Sequence, residues 1–269
     1  MSATIFKHEF RTKLRSVLIW SASVAFLIIF FFSLFSVFAE QAALVNQMMA
    51  NFPPQMRAAF GLDKMDLATV LGYYSFIFLF VQLCLAIQAA NYGVGLVSVE
   101  ESELTADFLM SKPVSRTQVF VSKLLAALAA LTLTNLVVWA SSFIAIELFR
   151  GDFEYQPGTL LLLLLGIVLF QLCFLCVGLL ISLLVRRVRS VTPYGLGLGF
   201  GAYVLNGFSG VFGDVKLEYL TPFKHFDAAA MVSERAFDAP LVLLNVAVAL
   251  LALALSYWRY IRRDIPAVS

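Results

Sequence analysis

An all-α integral membrane protein with six transmembrane helices is the fold class this sequence predicts, and three observations carry the prediction. Of the 269 residues, 61% are apolar and only 13% charged, with a mean hydropathy of +0.89. A soluble domain of this length presents too much surface to water to be covered by so few polar residues. Second, the chain contains six apolar runs of about 18 or more residues, each able to span roughly 30 Å of hydrocarbon as a helix. Third, basic residues gather at alternate ends of those runs, as the positive-inside rule requires. The net charge of +2 is too small for a nucleic-acid binder or a polybasic surface anchor.

Taken in order, the chain opens with Phe6, Phe10 and Leu14 recurring every four residues among Lys7, Arg11 and Arg15. That spacing predicts a short amphipathic interfacial helix over about 4–15. The first span follows at Val17–Phe38. Val37-Phe38-Ala39 has the look of a signal cleavage site, but the apolar stretch exceeds the roughly 7–15 residues of a signal core, so the span is read as uncleaved. The remaining spans fall at Leu71–Val97, Val119–Ile146, Thr159–Val185, Val191–Phe212 and Leu241–Trp258. Prolines at 53, 54, 113, 157, 193, 222 and 240 stand between or at the edges of these runs, where they mark turns and helix starts.

With the amino terminus in the cytoplasm, thirteen of the nineteen basic residues lie on that side. Both termini are then cytoplasmic, and the sizeable outer loops are Glu40–Ala68 and Gly213–Pro240. Within them Asn51–Phe60 and Phe226–Phe237 mix apolar and polar residues and predict short helices resting on the outer interface. The three cysteines, Cys84, Cys173 and Cys176, all sit inside predicted spans and read as small apolar residues.

Several chemistries lack material. No lysine follows a glycine, so the Gly-Lys pair that ends a phosphate-binding loop is absent and the chain is not its own P-loop ATPase. Two histidines, His8 and His225, fall on opposite sides, which excludes a paired-histidine zinc motif; no metal site and no catalytic residue are expected. Gly207-Phe208-Ser209-Gly210 has the form of a rhomboid intramembrane protease motif, but the last span supplies no histidine as general base, so the glycines read as helix packing.

The most specific stretch joins the second and third spans. Ser98 and Glu101 have capping-box spacing, and Glu100, Glu101 and Glu103 suit the positive end of a helix starting there. Leu104, Phe108 and Leu109 share one face, and Pro113 forbids continuation, which predicts a short cytoplasmic helix over about 99–111. A second capping pair, Ser115 and Gln118, starts the helix of the third span. In the spans, Thr132, Asn135, Trp139 and Ser142 form a polar stripe, and Gln88, Asn91 and Tyr92 share the cytoplasmic half of the second span. Such residues either line a pathway or hold helices together by hydrogen bonds. In the fifth span Gly195/Gly199 and Gly197/Gly201 form two small-residue faces, read as packing within one chain.

The connector resembles the Glu-Glu-x-x-Gly-Thr-x-x-x-Leu-Leu-x-x-Pro-Val-x-Arg pattern of permease subunits in type 2 ATP-binding-cassette (ABC) exporters. Glu100, Glu101, Thr105, Leu109, Pro113, Val114 and Arg116 match it, with Phe108 just before the matched leucine, and Leu104 replaces the usual glycine. Tyr219-Leu-Thr-Pro222-Phe223-Lys224-His225-Phe226-Asp227 is similar to the Ser-Pro-Phe-x-x-Phe-Asp element of the same permeases, with threonine for serine. The resemblance implies that residues 99–111 form a coupling helix docking on a separate ATPase subunit, which binds ATP and Mg while this chain binds no cofactor. It implies further a second permease copy, outward transport, and a place in the cell membrane of a prokaryote. The competing class is an ATP-independent membrane protein, either a rhomboid-like protease using Ser209 or a scaffold without transport activity.

Overall fold

The structure is a computed structural model and describes residues 2–102, 114–185, 188–211 and 216–262. Every regular element among them is helical. Helix α1, Ala3–Phe32, runs unbroken through the predicted interfacial helix and most of the first span. The stretch 4–15 is therefore not a separate element: the boundary seen in the sequence is where charge stops, while nothing there breaks the helix. The break comes later. Ser33 Oγ donates to the Phe30 carbonyl at 2.6 Å, and this local bond interrupts the ladder before α2, Phe35–Glu40.

The segment predicted as the first outer loop folds into α3, Ala42–Ala50, and α4, Pro54–Phe60. Proline at the first position starts α4, and Gly61, at φ 68°, ends it in the left-handed conformation that costs glycine little. Helix α5, Val70–Ser102, is the central element, packed on α1 and on α6 to α8: α6 is Arg116–Phe149, α7 is Pro157–Leu184 and α8 is Thr192–Val211. The segment predicted as the second outer loop carries α9, Pro222–His225, and α10, Ala228–Glu234, whose N-cap Asp227 accepts from the amides of Ala229 and Ala230. Helix α11, Ala239–Arg262, lies along α7, and α1 lies along α6.

Five segments are long and apolar enough to cross a membrane: Ala3–Glu40, Val70–Ser98, Arg116–Phe149, Pro157–Leu184 and Ala239–Arg262. The sequence predicts six, and the difference is the glycine-rich helix α8, which is not among these five. Those glycines have a packing role. A β-carbon on Gly195 would stand 2.1 Å from Asn91 Oδ1, and one on Gly199 would stand 2.7 Å from Ile87, so this face lies directly on α5. The Gly197/Gly201 face meets nothing within 4 Å.

The core runs the length of α5. Tyr73, Tyr74, Phe32, Phe35 and Phe78 fill the half beside the start of α5, and Phe170, Phe174, Phe223 and Phe226 form an aromatic cluster where α7 meets the Tyr219–Asp227 segment. Leu18, Ile19, Phe26, Leu243, Leu250 and Leu251 are exposed, as expected of helices whose solvent on one side is lipid.

Candidate functional site

The connector enters and leaves through well-defined ends. Helix α5 continues through Ser98 to Ser102, so Ser98 does not cap a new helix; its hydroxyl donates to the Val94 carbonyl at 2.7 Å inside α5. This corrects the predicted helix start at residue 99. A hydroxyl in mid-helix satisfies itself on the preceding turn whenever the backbone continues. Glu100 and Glu101 fall in the last turn of α5. Thr105, Phe108, Leu109 and Pro113, with the body of the predicted helix, lie outside the described residues. At the far end Ser115 caps α6 with a full capping box: its side chain accepts from the Gln118 amide, and the Gln118 side chain accepts from the Ser115 amide. Val114 is half-buried just before this cap. Arg116 donates to the Ile261 carbonyl at 3.0 Å, and Thr117 meets the Tyr257 hydroxyl at 3.1 Å. Phe120 packs on the rings of Tyr257 and Tyr260. The connector's exit is thereby fastened to the end of α11, and Arg259 of that helix donates to the Leu183 carbonyl at the end of α7.

A second fastening holds α1 to the same end of the bundle. Lys123, only 4% exposed, donates from Nζ to the Leu96 carbonyl of α5 at 2.9 Å and lies 3.7 Å from Glu9 of α1. Glu9 also pairs with Lys13 at 3.3 Å, and the Ser2 amide donates to Ser122 Oγ at 2.8 Å. Phe6 and Phe10 stack on each other at 5.9 Å, and Leu14 is half-buried. Sequence reasoning counted Lys123 only as a cytoplasmic charge. The available signal was a lysine one turn inside an apolar span, which demands a partner. Lys123→Met keeps the aliphatic stem and removes the contacts to Leu96 and Glu9. Amide exchange over residues 3–12 is expected to speed several-fold in the variant, with a loss of about 1–3 kcal/mol of stability.

The polar residues of the spans are largely taken up between helices. Gln88 Nε2 donates to Thr134 Oγ1 at 2.9 Å, Tyr92 donates to Ser16 at 3.1 Å, Asn135 donates to Gln171 Oε1 at 2.7 Å, and Ser142 meets the Tyr74 hydroxyl at 2.7 Å. Asn91 packs its amide on Gly195. Thr132 is exposed and bonds back to Leu128, and Trp139 is half-buried. The stripe seen in the sequence thus divides, with Asn135 and Ser142 facing α7 and α5 and Thr132 facing outward. Thr134, Gln171 and Tyr74 complete these contacts and were not singled out from the sequence, because a partner on another helix, dozens of residues away in the chain, leaves no local signal.

At the opposite end, the Tyr219–Asp227 element works as a plug. Thr221 donates to the Ala202 carbonyl of α8 at 2.8 Å, Gln82 of α5 donates to the Phe226 carbonyl at 2.9 Å, and Lys224 pairs with Asp227 at 3.0 Å. Phe223 meets Phe170 edge-on at 5.0 Å and Tyr203 at 5.8 Å. His225 is buried beside Asn245, Nδ1 to Nδ2 3.4 Å, and burial lowers its pKa, so the ring is neutral at pH 7. Ser209 lines the same cavity as His225, and no hydrogen bond joins them among the described residues. A β-carbon on Gly210 would stand 2.1 Å from the Ala58 carbonyl, so that glycine serves the contact of α8 with α4.

None of the curated proteins matches this sequence significantly. The model of the ABC-2 family transporter proteins matches residues 3–265, which includes every helix described above. By that match and its apolar helices, this is a multi-pass membrane component of an ABC transporter rather than the ATPase itself. The chain belongs to the ABC-2 family of transporter proteins.

Proposed function

We infer that this chain is the permease of an ABC exporter, working as a homodimer with two copies of a separate ATPase subunit in a prokaryotic cell membrane, both termini cytoplasmic. The observation that carries this reading is the family match across 3–265 in a chain without a Gly-Lys pair, so the nucleotide chemistry belongs to a partner. Helix α8 is the sixth span: its 20 residues reach about 30 Å, and its Gly195/Gly199 face sits directly on α5. ATP and Mg are bound by the partner. The ATPase docks on residues 99–111, with Glu100, Glu101, Thr105, Phe108 and Leu109 at the contact and Pro113, Val114 and Arg116 turning the chain into α6.

The fastenings support a mechanical role for that end of the bundle. Load applied to the connector reaches α5 directly, α11 through Arg116, and α1 through Lys123 and Glu9. Energy is transmitted only if the ATP-bound and ATP-free ATPase dock differently on this surface, since equal docking shifts no equilibrium. Substrate moves between two permease copies. Gln88, Asn91, Thr132, Asn135, Trp139 and Ser142 are the polar residues nearest such a path.

Phe108→Asp places a charge in the apolar contact, and Glu101→Lys reverses one at its edge. Each is expected to abolish co-purification of the ATPase and transport driven by it, while membrane insertion, judged by yield and gel filtration, stays normal. Undiminished co-purification and transport in both variants would sink the reading.

A further inference from the structure

Helix α1 carries Lys7, Arg11 and Arg15 at successive four-residue steps, and all three are exposed. At 3.6 residues per turn they share a sector of about 100° with Leu18, Ala22, Phe26 and Ile29, which are exposed too. One side of an unbroken helix is therefore basic over its first turns and apolar beyond them. The other side is fixed to the bundle. Glu9, the sole acid of α1, pairs with Lys13 at 3.3 Å and lies 3.7 Å from Lys123 of α6, and Val17, Val24 and Ile28 are buried. The apolar row of Phe6, Phe10 and Leu14 is half-buried, so it is not the surface that α1 offers to lipid.

A helix lying flat on a bilayer turns its cations to water. Here the rotation of α1 is set by its inward side, and the three cations stand above the stripe that meets lipid. Arg15 is the last charge before the apolar stretch, and Arg11 lies about 6 Å further along the axis. A headgroup layer is roughly 5–7 Å thick on each side of the hydrocarbon, so both guanidinium groups fall at the depth of the phosphates. Lys7 lies about 6 Å beyond Arg11 and reaches back along its aliphatic stem. None of the three has an ion pair among the described residues. A guanidinium matches phosphate oxygens two at a time, which makes the row complementary to an anionic headgroup.

We propose that Lys7, Arg11 and Arg15 dock an anionic phospholipid, its phosphate held by Arg11 and Arg15 and one acyl chain lying along Leu18, Ala22 and Phe26. The site needs only that α1 crosses a bilayer, and it does not depend on the coupling reading or on which end is cytoplasmic.

The test is native mass spectrometry of the full chain in a mild non-ionic detergent, titrated with dioleoyl-phosphatidylglycerol or dioleoyl-phosphatidylcholine. The first phosphatidylglycerol is expected to bind about tenfold more tightly than phosphatidylcholine, a preference that falls to threefold or less, in round terms about a third of its value, in Lys7→Gln/Arg11→Gln/Arg15→Gln. The single variant Arg15→Gln perturbs the chain least and should lose about twofold. Arg11→Lys/Arg15→Lys keeps the charge and should keep most of the preference. Lys64→Gln/Lys216→Gln/Arg235→Gln removes the same charge from exposed positions at the opposite end and should change nothing. Millimolar glycerol phosphate, which has the headgroup charge without chains, should not displace the lipid. The proposal is overturned by an unaltered chain without the preference, by full preference in both the α1 triple and Arg15→Gln, by equal loss in the opposite-end triple, or by displacement with glycerol phosphate. Loss of self-association with lipid preference intact in the α1 triple assigns the face to a second copy of the chain and overturns it as well.

Discussion

Replacing Gly93 with Ala should cost about 2–3 kcal/mol, and replacing it with Leu should eliminate folded protein altogether. At the crossing of α5 and α7, a β-carbon on Gly93 would stand 2.1 Å from the Leu175 carbonyl oxygen and 2.9 Å from the Leu179 nitrogen. On the facing helix, one on Gly178 would stand 2.7 Å from the Ala90 carbonyl. Both obstacles are backbone, so neither yields by a rotamer change, and α5 and α7 must separate. Membrane helices gain little from apolar burial against one another and depend on close packing, which makes this loss hard to offset. Gly197→Ala is the matched control. Nothing lies within 4 Å of its added methyl, and better helix propensity should leave it neutral or stabilised by up to about 1 kcal/mol. Thermal unfolding of the detergent-solubilised chain distinguishes the two, and equal melting temperatures would refute the packing account.

Phe223→Ala should be the most damaging change in the outer loops, at about 3–5 kcal/mol. Phe223 is 2% exposed and is ringed edge-on by Phe170, Phe174 and Tyr203, at centroid distances of 5.0, 6.1 and 5.8 Å. Truncation leaves a cavity among rings that cannot collapse, because Phe170 and Phe174 are fixed on α7 and Tyr203 on α8. Phe223→Leu fills most of that space and should lose only about 1–1.5 kcal/mol. Limited proteolysis within residues 216–238 gives a second readout. The plug should be cut faster in the alanine variant even at temperatures where the bundle remains folded, because it is the plug's own anchor that is lost. Equal cleavage in the two variants would show that Thr221 and Gln82 suffice to hold it.

The spans were legible because the bilayer imposes a length and a composition that few other environments demand. The Ser115/Gln118 cap was legible because both partners lie within four residues. Ser98 has the same local signature and is no cap, since α5 runs on through it. A capping box states where a helix can start, and only the preceding backbone decides whether it does. The amino-terminal helix shows the same limit, its amphipathic pattern being real and its separation from the first span not.

The candidate sites divide on range. The connector and the Tyr219–Asp227 element were found because each is one contiguous stretch of unusual residues. The Lys123–Glu9 contact, the Asn135–Gln171 bond and the cavity around His225 bring together residues far apart in the chain, and no periodicity records that. Composition, charge sidedness and local spacing determined by themselves that this is a helical membrane protein, where its spans lie, and which end carries the connector. Tertiary structure alone decided which polar side chains are spent on helix packing, which glycine face is occupied, and that a cavity lined by acidic residues and His225 lies at the opposite end. The physical reason is that solvent sorts residues by kind, which a sequence displays, whereas packing sorts them by neighbour, which only a folded chain can.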